Sequence, residues 1–390
     1  MMKKICLFLL PLVLVLGMIF PRFAAAETET LSVAKAAEFT VDAKSAVLME
    51  ASTGEVLYSQ NETAAYSPAS VTKIMTLLLV MEAVDSGKVA LTDKISVSDY
   101  AASMGGSQVF LKEGEIMTLE DLLKCTVIAS ANDAALALAE HVCGSESAFV
   151  SRMNRRAGEL GMKSSHFENV TGLDDTTENH VTSALDIALM SRELLKHETL
   201  LKYSSLWQDS IRDGAFVLTN TNRLVRYYEG CNGLKTGSTA KAGYCVSATA
   251  KRGNLQLIAV VMGAESRDRR NAVARTLLDY GFGNFALYED LETDLEKIPV
   301  HGGRCDSVTA KNRGFSAVVD KAQANEVERV YEIPQFLPAP IKQDDVIGKV
   351  VYRIGDDTIG ESDIFAAEGT EKITFSEILL RLIRSILAGS

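Results

Sequence analysis

The sequence is poor in the residues from which metal sites and disulfide frameworks are built. Its 390 residues include six cysteines and five histidines, with no C-x-x-C pair and no H-E-x-x-H motif. Zinc sites commonly use such spacings, so the sequence predicts neither a metal site nor a cofactor. Cys231 and Cys245 are close enough in the chain to bridge neighbouring strands, although free thiols in a hydrophobic core are the simpler interpretation.

The chain also lacks an excess of positive charge. It carries 40 basic and 51 acidic residues, and its formal net charge is −11. Proteins that bind nucleic acid gain affinity when basic side chains release counterions from the phosphates. An acidic chain has no such gain, and nucleic acid is therefore excluded as a partner.

Long apolar runs are scarce as well, and the clearest one begins at Ile5 and ends at Phe20, a length of 16 residues. A membrane-spanning helix needs about 20. Lys3–Lys4 precede the run and three alanines follow it at 24–26, the pattern of a secretory signal. We expect residues 1–26 to be cleaved and the protein to be exported; an uncleaved anchor is the alternative.

The order of predicted elements divides the rest of the chain into three parts. In residues 27–287, short strand-like runs, a large helical block and then further strands and a helix predict an α+β domain with an antiparallel sheet. We expect that last helix to cover 268–280 and to end at Gly281. In residues 288–369, short β-type runs separated by Gly, Pro and Asp predict a small all-β domain.

The third part, residues 370–390, predicts an amphipathic helix from Glu371 to Ala388. Its apolar side chains recur at helical spacing: Phe375, Ile378, Leu379, Leu382, Ile383, Ile386 and Leu387. The helix is too short and too charged to cross a bilayer, but it suits a position in the membrane surface. We therefore expect a peripheral protein on the outer face of the cytoplasmic membrane, with a helix packed on the β domain as the alternative.

Three short motifs carry chemistry. The pattern S-x-x-K occurs at 32–35, 70–73 and 238–241, S-x-N occurs at 59–61 and 130–132, and K-T-G occurs once, at 235–237. The first two patterns are common by chance, so their context decides between the copies. Ser70 stands at the start of a nearly all-apolar helix, which is typical of a buried one. Ser130 stands between two predicted helices, and Lys235 lies on a strand-like run. The ordered set S-x-x-K, S-x-N and K-T-G is that of penicillin-binding proteins and class A β-lactamases.

The residue types fit acyl transfer by a serine nucleophile. Lys73, three residues after Ser70, shares its helix face and can accept its proton if burial or a neighbouring cation such as Lys235 lowers the lysine pKa. Backbone N–H groups at Ser70 and Ser238 could hold the oxyanion.

The remaining motif residues suit the substrate. Ser130 can relay a proton to the leaving amine, and Asn132 can bind the substrate amide. Lys235 and Thr236, followed by Gly237, can bind a terminal carboxylate.

The sequence resembles the low-molecular-mass penicillin-binding proteins, which are serine-type D-alanyl-D-alanine carboxypeptidases. The resemblance is closest over about residues 40–285 and rests on these stretches: 67–76, 130–134, 171–173, 180–182 with Asp186, 220–224 and 233–244. It implies a β-lactamase/transpeptidase-like catalytic domain, peptidoglycan peptides as substrate and β-lactams as covalent inhibitors. It also implies an arginine that binds the substrate carboxylate; Arg269 and Arg270 both fit, and we take Arg270.

Two positions depart from related patterns. Ala131 stands where Gly is common in these carboxypeptidases and Asp in class A β-lactamases, and we expect its side chain to point away from the site. No convincing deacylation glutamate is found, since Glu168 lies in a carboxypeptidase-like context. A serine β-lactamase and a non-catalytic β-lactam or wall-binding protein remain as alternatives.

Overall fold

A computed structural model describes residues 39–175 and 177–388. The predicted signal sequence, 1–26, lies outside the described residues. In chain order the helices are α1 (Lys73–Asp85), α2 (Asp99–Ala102), α3 (Leu119–Val127), α4 (Asn132–Cys143), α5 (Glu146–Glu159), α6 (Ala184–Leu194), α7 (Glu198–Ser204), α8 (Leu224–Tyr227), α9 (Arg267–Asn284) and α10 (Phe375–Ala388). The strands are β1 (Ser45–Glu50), β2 (Val56–Gln60), β3 (Lys94–Ser96), β4 (Ile116–Thr118), β5 (Gln208–Ile211), β6 (Phe216–Thr219), β7 (Cys231–Thr239), β8 (Gly243–Arg252), β9 (Leu255–Ala264), β10 (Phe285–Asp290), β11 (Asp294–His301), β12 (Ser307–Asn312), β13 (Phe315–Asp320), β14 (Val327–Glu332), β15 (Leu337–Pro338), β16 (Val346–Ile354) and β17 (Asp357–Ala366).

An antiparallel sheet in the order β2-β1-β9-β8-β7 forms the centre of the first domain. Successive side chains of a strand point to opposite faces, and β1 shows the consequence. Val47 and Met49 enter the core that includes α1, α4 and α6, whereas Ala46 and Leu48 enter the core beneath α9. Because helices cover both faces, the domain has three layers, which confirms the α+β prediction.

Helix α1 lies inside the larger of these two cores. All its residues from Lys73 to Met81 are buried, because the sequence is apolar nearly all round and finds no solvent face. A short 3₁₀ turn, Ala69–Thr72, leads into the helix and carries Ser70. The expected placement of Ser70 at the start of a buried helix is confirmed.

Gly281 does not end helix α9, which continues to Asn284. A Cβ atom at Gly281 would lie 2.4 Å from Cδ1 of Leu257 and 3.0 Å from Cδ2 of Leu48. The glycine therefore allows the helix to approach the sheet closely. The prediction that the helix ends at Gly281 was wrong, since glycine serves close packing as well as left-handed caps.

The C-terminal part forms a second sheet, in the order β14-β16-β17-β12-β11-β15. It has a hydrophobic core of its own, which includes Val308, Val350, Tyr352 and Ile364. Strands β10 and β13 form a separate antiparallel pair. The all-β character expected for this region is confirmed, while the boundaries at 287/288 and 369/370 stay predictions.

Helix α10 begins at Phe375, four residues later than the predicted start at Glu371. The preceding residues are paired with the β region, because Thr370 bridges to Ile341 and Lys372 bridges to Gly303. No helix among the described residues is both long and apolar enough to cross a membrane.

Candidate active site

The side-chain nitrogen of Lys73 stands at the centre of the first cluster of motif residues. Its Nζ lies 3.0 Å from Oγ of Ser70, 2.5 Å from Oδ1 of Asn132 and 2.8 Å from the carbonyl oxygen of Thr171. The lysine side chain is fully buried, whereas Ser70 stays partly exposed. A serine that solvent can reach is thus in hydrogen-bond contact with an amine that solvent cannot reach.

Burial is the main cause that lowers the pKa of Lys73 well below its ordinary value. The nearby charge of Lys235 lowers it further, while Asp133 acts in the opposite direction. The role that the sequence suggested for Lys235, a cation that favours the neutral form of Lys73, agrees with this. A neutral amine next to a serine hydroxyl can accept its proton.

Lys235 is the centre of a second cluster. Its Nζ donates to Oγ of Ser130 at 2.7 Å and to the carbonyl oxygen of Thr236 at 3.0 Å. Burial, together with the charge of Arg270, lowers the pKa of Lys235 to about 7. Ser130 has a positive φ of 65° in the link between α3 and α4, a rare backbone conformation for a residue with a side chain.

Strand β7 passes directly against the turn that carries the serine. A Cβ atom at Gly237 would lie 2.7 Å from the backbone nitrogen of Ser70 and 2.9 Å from that of Val71. Only a residue without a side chain allows this approach. Ser238 follows at the exposed end of the strand, paired with Tyr244, and its expected role in the oxyanion hole stays a prediction.

The two arginines of α9 have different surroundings. Arg270 is buried, and its guanidinium donates to the carbonyl oxygen of Cys245, which pairs with Gly237 across the sheet. Arg269 is exposed and forms an ion pair with Asp42 at 3.6 Å. Arg270, whose pKa burial lowers to about 10, is therefore the arginine nearer to the K-T-G strand.

Some neighbours of the site were not assigned a role from the sequence. The carbonyl of Thr171 holds Lys73, and Gly172 lies so close to the serine turn that a Cβ there would be 1.8 Å from the carbonyl oxygen of Ala69. Thr221 bonds the hydroxyl of Thr236 at 2.9 Å. The stretches 171–173 and 220–224 carried the family resemblance, but no periodicity indicated which atoms reach the site.

The side-chain amide of Asn132 makes one hydrogen bond through its oxygen and one through its nitrogen. Its oxygen accepts from Lys73, and its nitrogen donates to the carbonyl of Gly105 at 2.7 Å. Ala131 is buried in the core, as expected for a side chain that points away. Glu168 uses its carboxylate to accept from the backbone of Asn179.

The cysteines and acidic groups indicate no further chemistry at the site. Cys231 and Cys245 are free and buried, and they pair with Ala250 and Gly237 rather than with each other. Among the described residues, no group of three or more His, Cys, Asp or Glu side chains is arranged to hold a metal.

A partly exposed serine, a buried lysine at its side and a second lysine on the adjoining strand define a serine hydrolase of the penicillin-binding class. The family described as D-alanyl-D-alanine carboxypeptidase matches residues 31–266, and the C-terminal domain of penicillin-binding protein 5 matches residues 285–372. The chain belongs to the D-alanyl-D-alanine carboxypeptidase family.

The relatives match between 63% and 94% of this chain. The D-alanyl-D-alanine carboxypeptidase DacF of Bacillus subtilis (strain 168) is 41% identical over 376 residues, which cover 94% of this chain and 96% of that protein. Penicillin-binding protein 5 of Haemophilus influenzae superposes with a TM-score of 0.76 at 30% identity, over 87% of this chain and all of that one. Penicillin-binding protein D2 of Listeria monocytogenes, solved with ampicillin bound, gives 0.58 at 31% identity, over 63% of this chain and 99% of that one. The protein is thus a serine carboxypeptidase of the cell wall.

Proposed function

We propose that Ser70 attacks the carbonyl carbon of the penultimate D-alanine in a peptidoglycan peptide, with Lys73 as the base. The contact of 3.0 Å between Ser70 Oγ and Lys73 Nζ is the observation that carries this proposal, and the burial that lowers the pKa of Lys73 supports it. The proton moves from Oγ to Nζ as the C–O bond forms. Water then hydrolyses the acyl-enzyme and restores the serine.

The second cluster acts on the other half of the substrate. Ser130, held by Lys235, passes the proton that Lys73 took from Ser70 on to the amine of the departing D-alanine, so that this group leaves uncharged. The backbone N–H groups of Ser70 and Ser238 bind the oxyanion, and the close passage of β7 along the serine turn supports this pairing. Lys235, Thr236 and Arg270 receive the terminal carboxylate, and Asn132 supports both Lys73 and the substrate amide.

β-Lactams acylate the same serine in this proposal. A β-lactam presents a carbonyl carbon and a carboxylate to the two clusters, as the terminal dipeptide does. The ampicillin-bound structure of the Listeria relative supports this ligand class. The Glu168 carboxylate, which accepts a hydrogen bond from the backbone N–H of Asn179, gives no support to the rapid deacylation of a class A β-lactamase.

Mass spectrometry of the intact protein tests the assignment. Incubation with penicillin should add one penicilloyl group to the wild type and none to Ser70→Ala, while Ser205→Ala, at an exposed serine, labels fully. A D-Ala-D-Ala pentapeptide should lose one alanine with the wild type. An adduct that maps to Ser32 or Ser238 would refute the nucleophile, and rapid release of hydrolysed penicillin would favour the β-lactamase alternative.

We further propose that α10 attaches the exported enzyme to the outer face of the cytoplasmic membrane. Its apolar side chains are between 43% and 80% exposed. The opposite side of the helix binds the protein, because Arg381 pairs with Asp306 at 2.9 Å and Glu377 pairs with Arg304 at 3.0 Å. An apolar face turned outward supports a lipid surface and disfavours the packed-helix alternative.

Flotation with liposomes tests the attachment. Leu382→Asp combined with Ile386→Asp adds two charges to the apolar face and should reduce the bound fraction at least tenfold, since each buried CH₂ group contributes about 0.8 kcal/mol. Ser376→Asp with Ser385→Asp adds the same charge beside that face and should bind nearly as well. Equal flotation of both variants would contradict a role for the apolar face.

A further inference from the structure

His180 is a buried histidine with no part in the chemistry above. Its Nδ1 accepts the backbone N–H of Glu168 at 3.0 Å, and its Nε2 lies 2.8 Å from Oγ1 of Thr72. The Thr72 hydroxyl gives its single proton to the carbonyl of Ala69, 2.8 Å away. His180 must therefore carry its proton on Nε2 and donate to Thr72.

These bonds end at the turn that carries the nucleophile. Ala69, whose carbonyl ends the chain of hydrogen bonds, directly precedes Ser70 and has a positive φ of 48°. Residues with a side chain rarely hold such a conformation unless their surroundings impose it. The bond from Thr72 fixes the orientation of the peptide plane from which Ser70 emerges.

The other ring nitrogen of His180 holds a segment that reaches Lys73. From Glu168 onward the chain runs along α1, where the carbonyl of Val170 accepts from Thr76 at 2.7 Å and the carbonyl of Thr171 accepts from Lys73 at 2.8 Å. One imidazole thus joins the turn bearing the serine to the segment that positions the lysine. Burial also lowers the pKa of His180 to about 4, so that the ring keeps this neutral pattern at neutral pH.

We propose that His180 is a positioning residue for acylation, which through Thr72 and Glu168 holds Ser70 Oγ within hydrogen-bond reach of Lys73 Nζ. This inference rests on the roles proposed for Ser70 and Lys73. A shift of about 1 Å between nucleophile and base can reduce a rate about 100-fold. The loss should therefore appear in kcat and in the acylation rate, and much less in KM.

Paired substitutions separate positioning from folding. The ring of His180 packs edge to face against Phe167, with the centroids 5.7 Å apart, so His180→Phe keeps an aromatic contact. His180→Gln instead keeps a donor near the Nε2 position. Thr72→Val keeps the shape without the hydroxyl, and Thr72→Ser keeps the hydroxyl. His166→Phe makes the same chemical change at an exposed histidine of the same loop and serves as the control.

Acylation by fluorescent penicillin, kcat and KM for the pentapeptide, and thermal melting are measured for each variant. We expect His180→Phe and Thr72→Val to acylate about 10- to 100-fold more slowly, and the double variant to be no slower than either one, because both remove the same chain of bonds. Thr72→Ser and His180→Gln should recover at least fivefold of the loss, with His166→Phe within twofold of wild type.

Three results would overturn the inference: acylation within twofold of wild type in Thr72→Val, additive losses in the double variant, or rates that follow only the folded fraction. If His180→Phe does not fold, Thr72→Val against Thr72→Ser decides alone. A wild-type adduct on a serine other than Ser70 would instead refute the proposed function.

Discussion

Replacing Lys235 with methionine should affect two separate parts of the reaction. The side chain is buried and its length is nearly kept, so the change removes the ammonium group with little change in packing. The Nζ donates to Ser130 at 2.7 Å, and in the proposed function it also faces the substrate carboxylate. The hydrogen bond to Ser130 affects the reaction with any substrate, whereas the contact with the carboxylate affects only substrates that end in a free acid.

The expected losses follow from those two contacts. A hydrogen bond that involves a charged group contributes about 1.5–3 kcal/mol, which corresponds to about 10- to 150-fold in kcat/KM. For a pentapeptide with a C-terminal amide, kcat/KM should fall by this factor once, because Lys235 no longer holds the Ser130 hydroxyl in place. The free acid should lose it twice, on the order of 10²–10⁴ in total.

The assay compares kcat/KM for the free-acid pentapeptide and its C-terminal amide in the wild type and in Lys235→Met. The ratio of the two substrates should fall at least tenfold, whereas Lys241→Met, at an exposed lysine just beyond the K-T-G motif, should leave it unchanged. Equal losses on the two substrates would refute carboxylate binding by Lys235. An amide substrate that loses nothing would refute the role of Lys235 in holding Ser130.

Three further changes are expected to have distinct effects. Lys73→Met should fold, and its rate of acylation by penicillin should be lower than that of the wild type by more than about 10³-fold. In the wild type the rate should fall as the pH is lowered and the amine gains a proton, with a midpoint below the ordinary lysine range. A pH-independent rate would point to another base. Gly172→Ala should lower both the melting temperature and the acylation rate, because its Cβ would lie 1.8 Å from the carbonyl oxygen of Ala69 in the serine turn. Gly161→Ala has a similar positive φ but open space around it, so it should lower the melting temperature through backbone strain and leave acylation unchanged. Gly281→Ala should destabilise the protein by about 1–3 kcal/mol through overpacking. Gly283→Ala in the same helix, with open space around it, should be neutral or stabilising by up to about 1 kcal/mol. Unfolding of both variants by denaturant measures these two differences in stability.

The parts of the site that the sequence predicts are those in which local pattern and chemistry coincide. Ser70 and Lys73 are three residues apart at the start of an apolar helix, so a short stretch of sequence predicts both that their side chains meet and that the lysine is buried. The K-T-G motif lies on a strand whose neighbours have strong β patterns. For the same reason the central sheet, α1 and the β-rich region could be predicted.

The rest depends on contacts between distant segments without regular structure. The carbonyl of Thr171 is 98 positions from Lys73 in the chain, and His180 is 108 positions from Thr72. No periodicity relates such residues, and a backbone carbonyl leaves no trace in residue type. Gly281 shows a second limit, since a glycine after an apolar helical pattern fits both a helix end and a close contact.

The burial of two lysines links the chemistry of the site to the stability of the protein. Burial lowers the pKa of Lys235 to about 7 and that of Lys73 well below its ordinary value, whereas the unfolded chain keeps ordinary lysines. Between the lowered pKa of each buried lysine, about 7 for Lys235, and the ordinary lysine range, the unfolded state binds more protons. The free energy of unfolding therefore rises with pH there, by at most about 1.4 kcal/mol per pH unit for each such lysine. Below pH 7 Lys235 is protonated in both the folded and the unfolded state, and the loss of folding stability caused by burying its charge is then at its maximum. Apolar residues at these two positions would remove the proton linkage, so in Lys73→Met and Lys235→Met the melting temperature should rise less with pH above neutrality than in the wild type, while both variants lose activity. The same desolvation that favours the neutral form of the base beside Ser70 therefore lowers the stability of the core around it.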